Sequence, residues 1–233
     1  LSKTRRVIAP DHPVFGLSSQ DAYDPPLEKS LVRYLIGFMD ELNLGQVDAV
    51  GLSMGAQGML ATALISPERF DKLVVIDSAG LGRAFPLVYR LAATPLVGRL
   101  IIRPNRWGQD TFFKNFEVMD PEFEDAELYK QYAYVVTLPD GHSKAMQTSL
   151  KLITDWGGQK SIFSDEELRS ISNPVLVIWG AHDKLFPVEH GYRLAKLLPN
   201  ANLHVSEDAA HVPLLDNPER VNDLITGFLG EPG

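Results

Sequence analysis

Short apolar runs alternate along this chain with stretches whose apolar residues recur every three to four positions. Arg5-Arg6-Val7-Ile8-Ala9-Pro10-Asp11 predicts a short buried strand ending in a turn. Leu27, Leu31, Leu35, Phe38, Met39 and Leu42 share one face of a helix over 25–44, and Gly45 follows as its C-cap. A strand over 49–52 runs into Ser53, and a helix over 56–65 stops at Ser66-Pro67. Leu73-Val74-Val75-Ile76 predicts another buried strand, closed by Asp77-Ser78-Ala79-Gly80. Further on come a strand over 174–180, a helix over 188–198, a strand over 202–205 and a helix over 218–229.

Continuous apolar strands alternating with amphipathic helices are the pattern of an α/β fold with a parallel sheet covered on both faces. Between 81 and 158 the texture changes. Aromatic and charged residues mix, and Pro95, Pro104, Pro121 and Pro139 divide the segment into about four helical pieces. The expected organisation is a core from 1–80 and 159–233, with 81–158 as a helical insertion between its halves.

Composition narrows the function. The chain has 233 residues, which suits one core with an inserted subdomain. Its 30 acidic residues exceed its 22 basic ones, and no basic patch stands out, so nucleic acid is not an expected partner. With no cysteine, disulfides and Cys-based metal or redox sites are excluded, which suits a reducing, cytoplasmic setting. No apolar run reaches the length of a membrane span; the closest, 85–102, is broken by Arg90 and Arg99. Neither a metal-ligand cluster nor a phosphate loop nor a dinucleotide fingerprint is present, so no cofactor is expected.

The candidate chemistry begins at Gly51-Leu52-Ser53-Met54-Gly55, a G-x-S-x-G sequence between a strand and a helix. A serine hydroxyl is a poor nucleophile unless a base reaches it, so it must project from a sharp turn. Gly51 and Gly55 are expected to remove side chains that would collide in that turn. The following helix presents its positive end where negative charge develops.

The base must come from six histidines, and His211 has the best position, just after the last strand and before the last helix. His204 lies within a strand; His12, His142, His182 and His190 fall in loops, in the insertion or at a helix edge. Asp183 follows the strand over 174–180 and is the first candidate for the orienting acid; Asp77, also at a strand end, is the second. In parallel sheets functional groups collect beyond the carboxyl ends of the strands, where Ser53, Asp183 and His211 all stand. Their chain order, nucleophile, acid, histidine, is that of one known serine-hydrolase fold.

These pieces resemble the α/β-hydrolase superfamily, in its esterase, C–C hydrolase and haloperoxidase-like branch. The resemblance rests on the segment from Val7 to Gly16, the elbow at Ser53, the turn Trp179-Gly180-Ala181-His182-Asp183 and the sequence Ala210-His211-Val212-Pro213. It implies Ser53 as nucleophile, Asp183 as acid and His211 as base. It also implies the backbone N–H of Met54 as one oxyanion donor, with a second donor unidentified, and 81–158 as a lid over the substrate. Two departures stand out. Val14 occupies a position where the family usually has glycine, and the early strands that normally precede Val7 are not in this sequence, as in a chain that omits its beginning or a shortened variant.

The expected activity is hydrolysis of small to medium apolar carboxylic esters through an acyl-enzyme. The apolar lid residues Phe85, Leu87, Tyr89, Leu91, Trp107, Phe112, Phe113, Phe116, Tyr129, Tyr132 and Tyr134 favour it, since a subset can line an apolar pocket. One alternative is a C–C bond hydrolase of vinylogous diketo acids, which requires a carboxylate-binding arginine; Arg90, Arg99, Arg103 and Arg106 are the candidates. The other is a non-catalytic ligand-binding or interaction protein on the same fold. A carboxylate-nucleophile dehalogenase or epoxide hydrolase is disfavoured by the serine at the elbow.

Overall fold

A computed structural model describes residues 1–21, 23–123 and 125–230. The first half of the core contains α1 (Leu27–Glu41), β1 (Val47–Leu52), α2 (Met54–Ile65) and β2 (Phe70–Ile76). The middle segment carries α3 (Leu87–Ala92), α4 (Val97–Ile101), α5 (Arg106–Phe112), a π-helical turn at Phe113–Glu117, α6 (Ala126–Val135) and α7 (His142–Ile153). A small hairpin follows, β3 (Thr154–Asp155) and β4 (Gly158–Gln159). The second half contains α8 (Asp165–Ser170), β5 (Val175–Gly180), α9 (Glu189–Leu197), β6 (Ala201–Ser206), α10 (Pro213–Asp216) and α11 (Pro218–Leu229).

The main sheet has the order β1-β2-β5-β6, and every pairing is parallel. Alternation along the strands divides the core in two. Leu73, Val75, Val175, Val177 and Trp179 pack on one face with residues of α1, α2, α8 and α9. On the other face Val74, Ile76, Leu176 and Ile178 meet Val221, Ile225 and Leu229, a stripe of α11 at four-residue spacing. A helix that is apolar all round must be buried all round, and α2 is buried from Ala56 to Ala63. Gly58 lets α1 close on α2, because Leu35 and Leu31 lie 3.3 and 3.5 Å from where its Cβ would be.

One expected strand does not form. Residues 7–10 pair with no strand, and Val7 and Ile8 are 52% and 37% exposed. Side-chain bonds hold this segment instead. The Arg5 guanidinium pairs with Asp48 at 2.7 Å and donates to the carbonyls of Leu229 and Gly230. An apolar run becomes a strand only where a neighbouring backbone offers a ladder.

The loop that follows contains the Val14 departure. Val14 is fully buried with φ of 76°, left-handed backbone that a β-branched residue adopts at a cost of roughly 1–3 kcal/mol. A glycine there would carry no such strain.

At the carboxyl ends of the strands, the chain between β6 and α10 folds back over the end of β5. Ala181 N–H donates to the Ser206 carbonyl and His182 N–H to that of Ala209. Gly180 makes the crossing possible, since a Cβ there would collide with the carbonyl oxygens of Ala210 and Ala209. Gly180→Ala is therefore expected to destabilise the fold by about 2–3 kcal/mol, in the range of other overpacking changes. Urea unfolding measures this, and a neutral substitution would contradict the crossing as described.

Candidate active site

Ser53 is the one-residue turn between β1 and α2. Its φ of 56° and ψ of −118° place a non-glycine residue in strained, left-handed backbone. Its own N–H donates to Ile76 O, while its carbonyl accepts from Gln57 and Ala79 N–H, so backbone bonds hold the turn from three sides. Gly51 behaves as expected: a Cβ there would lie 2.7 Å from Ala56 N. Gly55 does not. A Cβ on it meets nothing within 4 Å, because it lies on α2 facing open space.

Asp183 and His211 meet. Asp183 Oδ2 lies 2.8 Å from His211 Nδ1, and both side chains are almost wholly buried. A carboxylate can only accept, so Nδ1 carries the proton and Nε2 keeps its lone pair for a substrate-side proton. The other Asp183 oxygen, Oδ1, accepts from Leu185 N–H at 2.7 Å and Phe186 N–H at 3.0 Å, which fixes the carboxylate's rotation. Phe186 also packs edge-on against the His211 ring at 5.3 Å. Asp77 makes no hydrogen bond to His211; its Oδ1 accepts from Gly180 N–H at 3.0 Å. Ser53 Oγ makes no hydrogen bond among the described residues, so no bond joins it to His211 in this structure. Such contacts often close only around substrate.

Two residues that the sequence did not single out hold the His211 loop in place. Asp216 accepts from Ala210 N–H through Oδ2 and from Met119 N–H through Oδ1. Glu117 accepts Val212 N–H through its backbone carbonyl. Both tie the loop to the middle segment, a contact between residues about 100 positions apart that no local signal announces. His204 sits on β6 opposite Ile178, and His190 packs against Gly82.

Mostly within the middle segment is a cavity of about 710 Å³, whose lining includes none of Ser53, Asp183 and His211. The subset of the apolar lid residues that lines the cavity is Tyr89, Trp107, Phe112, Phe116, Tyr129 and Tyr132; Phe85, Leu87, Leu91, Phe113 and Tyr134 are outside the lining. Tyr89, Phe85 and Phe186 stack in succession and link the cavity wall to His211. Arg103 is the arginine that reaches the lining. Arg90 is instead engaged by the Phe85 and Trp156 carbonyls, and Arg106 lies over the Tyr134 ring.

Glu117 also lines the cavity, and its Oε2 accepts from Tyr129 O–H at 3.1 Å. Burial pushes its carboxyl pKa up, against smaller opposing effects from the Tyr129 bond and His211. A carboxyl raised in the fold stabilises it only while protonated there, and that contribution fades as pH rises above the unfolded-state value. Glu117→Gln keeps an acceptor for Tyr129 and removes the ionisation. Its melting temperature should match that of the native protein near pH 4 and exceed it at pH 8. A difference that shrinks as pH rises would contradict the burial argument.

The family profile described as an alpha/beta hydrolase fold matches residues 1–218. The 2-hydroxymuconate semialdehyde hydrolase of Pseudomonas putida is 30% identical over 234 residues, covering 99% of this chain and 79% of that protein. Among solved structures, a meta-cleavage product hydrolase from Pseudomonas fluorescens superposes with a TM-score of 0.82 at 26% identity, over 98% of this chain and 81% of that one. A carboxylesterase from Bacillus subtilis superposes with a TM-score of 0.71, also at 26% identity, over 91% and 68%.

Proposed function

The chain belongs to the alpha/beta-hydrolase family, and from that premise we propose that it is a serine hydrolase cleaving a carbon–carbon bond in a vinylogous diketo acid. One observation carries the reading. The strained Ser53 turn and a buried Asp183–His211 hydrogen bond both stand at the carboxyl ends of the sheet strands, and Phe186, Phe85 and Tyr89 connect His211 to the wall of an apolar cavity whose lining includes Arg103. The side chain of Arg103 makes no hydrogen bond or ion pair among the described residues, which leaves it available to a substrate carboxylate. The similarity to a 2-hydroxymuconate semialdehyde hydrolase and to a meta-cleavage product hydrolase supports the same bond type.

In this reading His211 Nε2 takes the proton of Ser53 as Oγ attacks the ketone carbon. The oxyanion forms near the N–H of Met54, at the first turn of α2, where the helix dipole favours negative charge. Collapse breaks the C–C bond. Its electron pair passes into the conjugated diketo acid fragment, which takes the proton from His211. Water, deprotonated by His211, then attacks the acyl-serine and releases a carboxylic acid and free Ser53. Residues 81–158 serve as the lid, since their helices hold most of the cavity wall.

Carboxylic esters are the second reading, and Asp11 favours it. This acidic residue lines the cavity and opposes an anionic substrate. The serine chemistry is unchanged, with an alkoxide as leaving group.

A panel of p-nitrophenyl esters run beside a vinylogous diketo acid separates the two. The diketo acid should turn over with the higher kcat/KM. Arg103→Ala should raise KM for it by about 10–100-fold, the effect of losing a charged hydrogen bond, and leave ester turnover unaltered. Ester turnover without diketo acid turnover selects the second reading. Turnover retained in Ser53→Ala would contradict both.

A further inference from the structure

Behind the Asp183–His211 pair stands a second carboxyl group that the proposed mechanism does not use. Asp77 follows β2 directly, in left-handed backbone with φ of 41°, and has no exposed surface. Its Oδ1 is occupied by Gly180 N–H, while its Oδ2 is buried with no hydrogen-bond partner among the described residues. One oxygen of Asp77, one of Asp183 and a ring nitrogen of His211 all lie within 4.8 Å of one another.

The surrounding charges make two carboxylates untenable there. Asp216 faces the group from α10 and adds a further negative charge. From the middle segment Tyr89 and Glu117 face Asp183 and His211, and from α9 His190 lies near enough to feel Asp183. No lysine or arginine pairs with Asp77 or Asp183 among the described residues. Two like charges this close in a water-poor site cannot both ionise, and a buried oxygen with no partner is itself costly. One proton answers both demands.

We propose that Asp77 is a positioning residue held as the neutral acid, its Oδ2–H donating to Asp183, so that the pair carries one negative charge and stays aimed at His211. The orphaned oxygen then becomes a donor, and Asp183 gains a bond to match those from Leu185, Phe186 and His211. Burial first, and the charge of Asp183 second, raise the Asp77 pKa well above the usual carboxylate range, in the same direction. The proposal rests on His211 acting as the base, and its test reads the imidazole itself as well as turnover.

The test is an NMR titration of His211 in the native protein and in Asp77→Asn, whose amide can donate to Asp183 and accept from Gly180. If Asp77 is neutral, the two His211 midpoints agree within about 0.3 pH units. A fall of about one unit or more in the variant would show that a negative charge had been removed, and would overturn the proposal. In the kinetic arm, Asp77→Asn keeps kcat within about threefold, while Asp77→Leu lowers kcat about 10–100-fold at unchanged KM. Asp77→Leu retaining full activity, or Asp77→Asn losing more activity than Asp183→Asn, also overturns it. Should Asp77→Leu fail to fold, the Asp77→Asn titration decides alone. Failure of the catalytic reading shows separately, as turnover that survives Ser53→Ala.

Discussion

The hydrogen bond between Asp183 and His211 is the contact around which the rest of the molecule is arranged. It joins two loops that leave neighbouring strands, and it forms only because the chain after β6 turns back across the end of β5. That crossing needs a residue without a side chain at Gly180 and a set of backbone bonds to hold it. The sheet supplies the rigid base, with its central strands β2 and β5 buried on both faces, and the loops supply the chemistry. A bond between a carboxylate and an imidazole is strong in such a place because both side chains are buried, and for the same reason every other polar group nearby must find a partner.

The middle segment is tied into this arrangement. Asp216 and the Glu117 carbonyl connect the His211 loop to residues 117–119, and a run of aromatic rings leads from His211 through Phe186 and Phe85 to Tyr89. The cavity wall is thereby connected to the imidazole through side chains in direct contact. The acidic groups around it carry the same lesson in electrostatic form. Glu117 and Asp77 are both pushed toward their neutral forms by burial, close to where Asp183 bonds His211.

Much of this could be read from the sequence. The apolar runs at Leu73–Ile76 and Val175–Trp179 announced β2 and β5, because strands covered on both faces are apolar without interruption. The strand–turn–helix at Ser53 was legible because its strained backbone leaves glycine beside it, although the crowding falls on Gly51 and spares Gly55. Val7 and Ile8 misled, since a strand is a relation between two chains and nothing in a single segment says whether a neighbour is present. Which aromatics line the cavity depends on how short helices are rotated against one another, so Tyr89 and Phe85 could not be separated in advance. The nearness of Asp77 to Asp183 follows from β2 and β5 being neighbours despite about a hundred residues between them.

The account stands on the claim that His211 activates Ser53. Labelling by a serine-reactive fluorophosphonate, followed by mass spectrometry of the modified peptide, tests it directly. The native protein should be modified at Ser53, and His211→Ala, folded by circular dichroism, should lose that modification. A folded native protein that stays unlabelled, or equal labelling with the histidine removed, would contradict it.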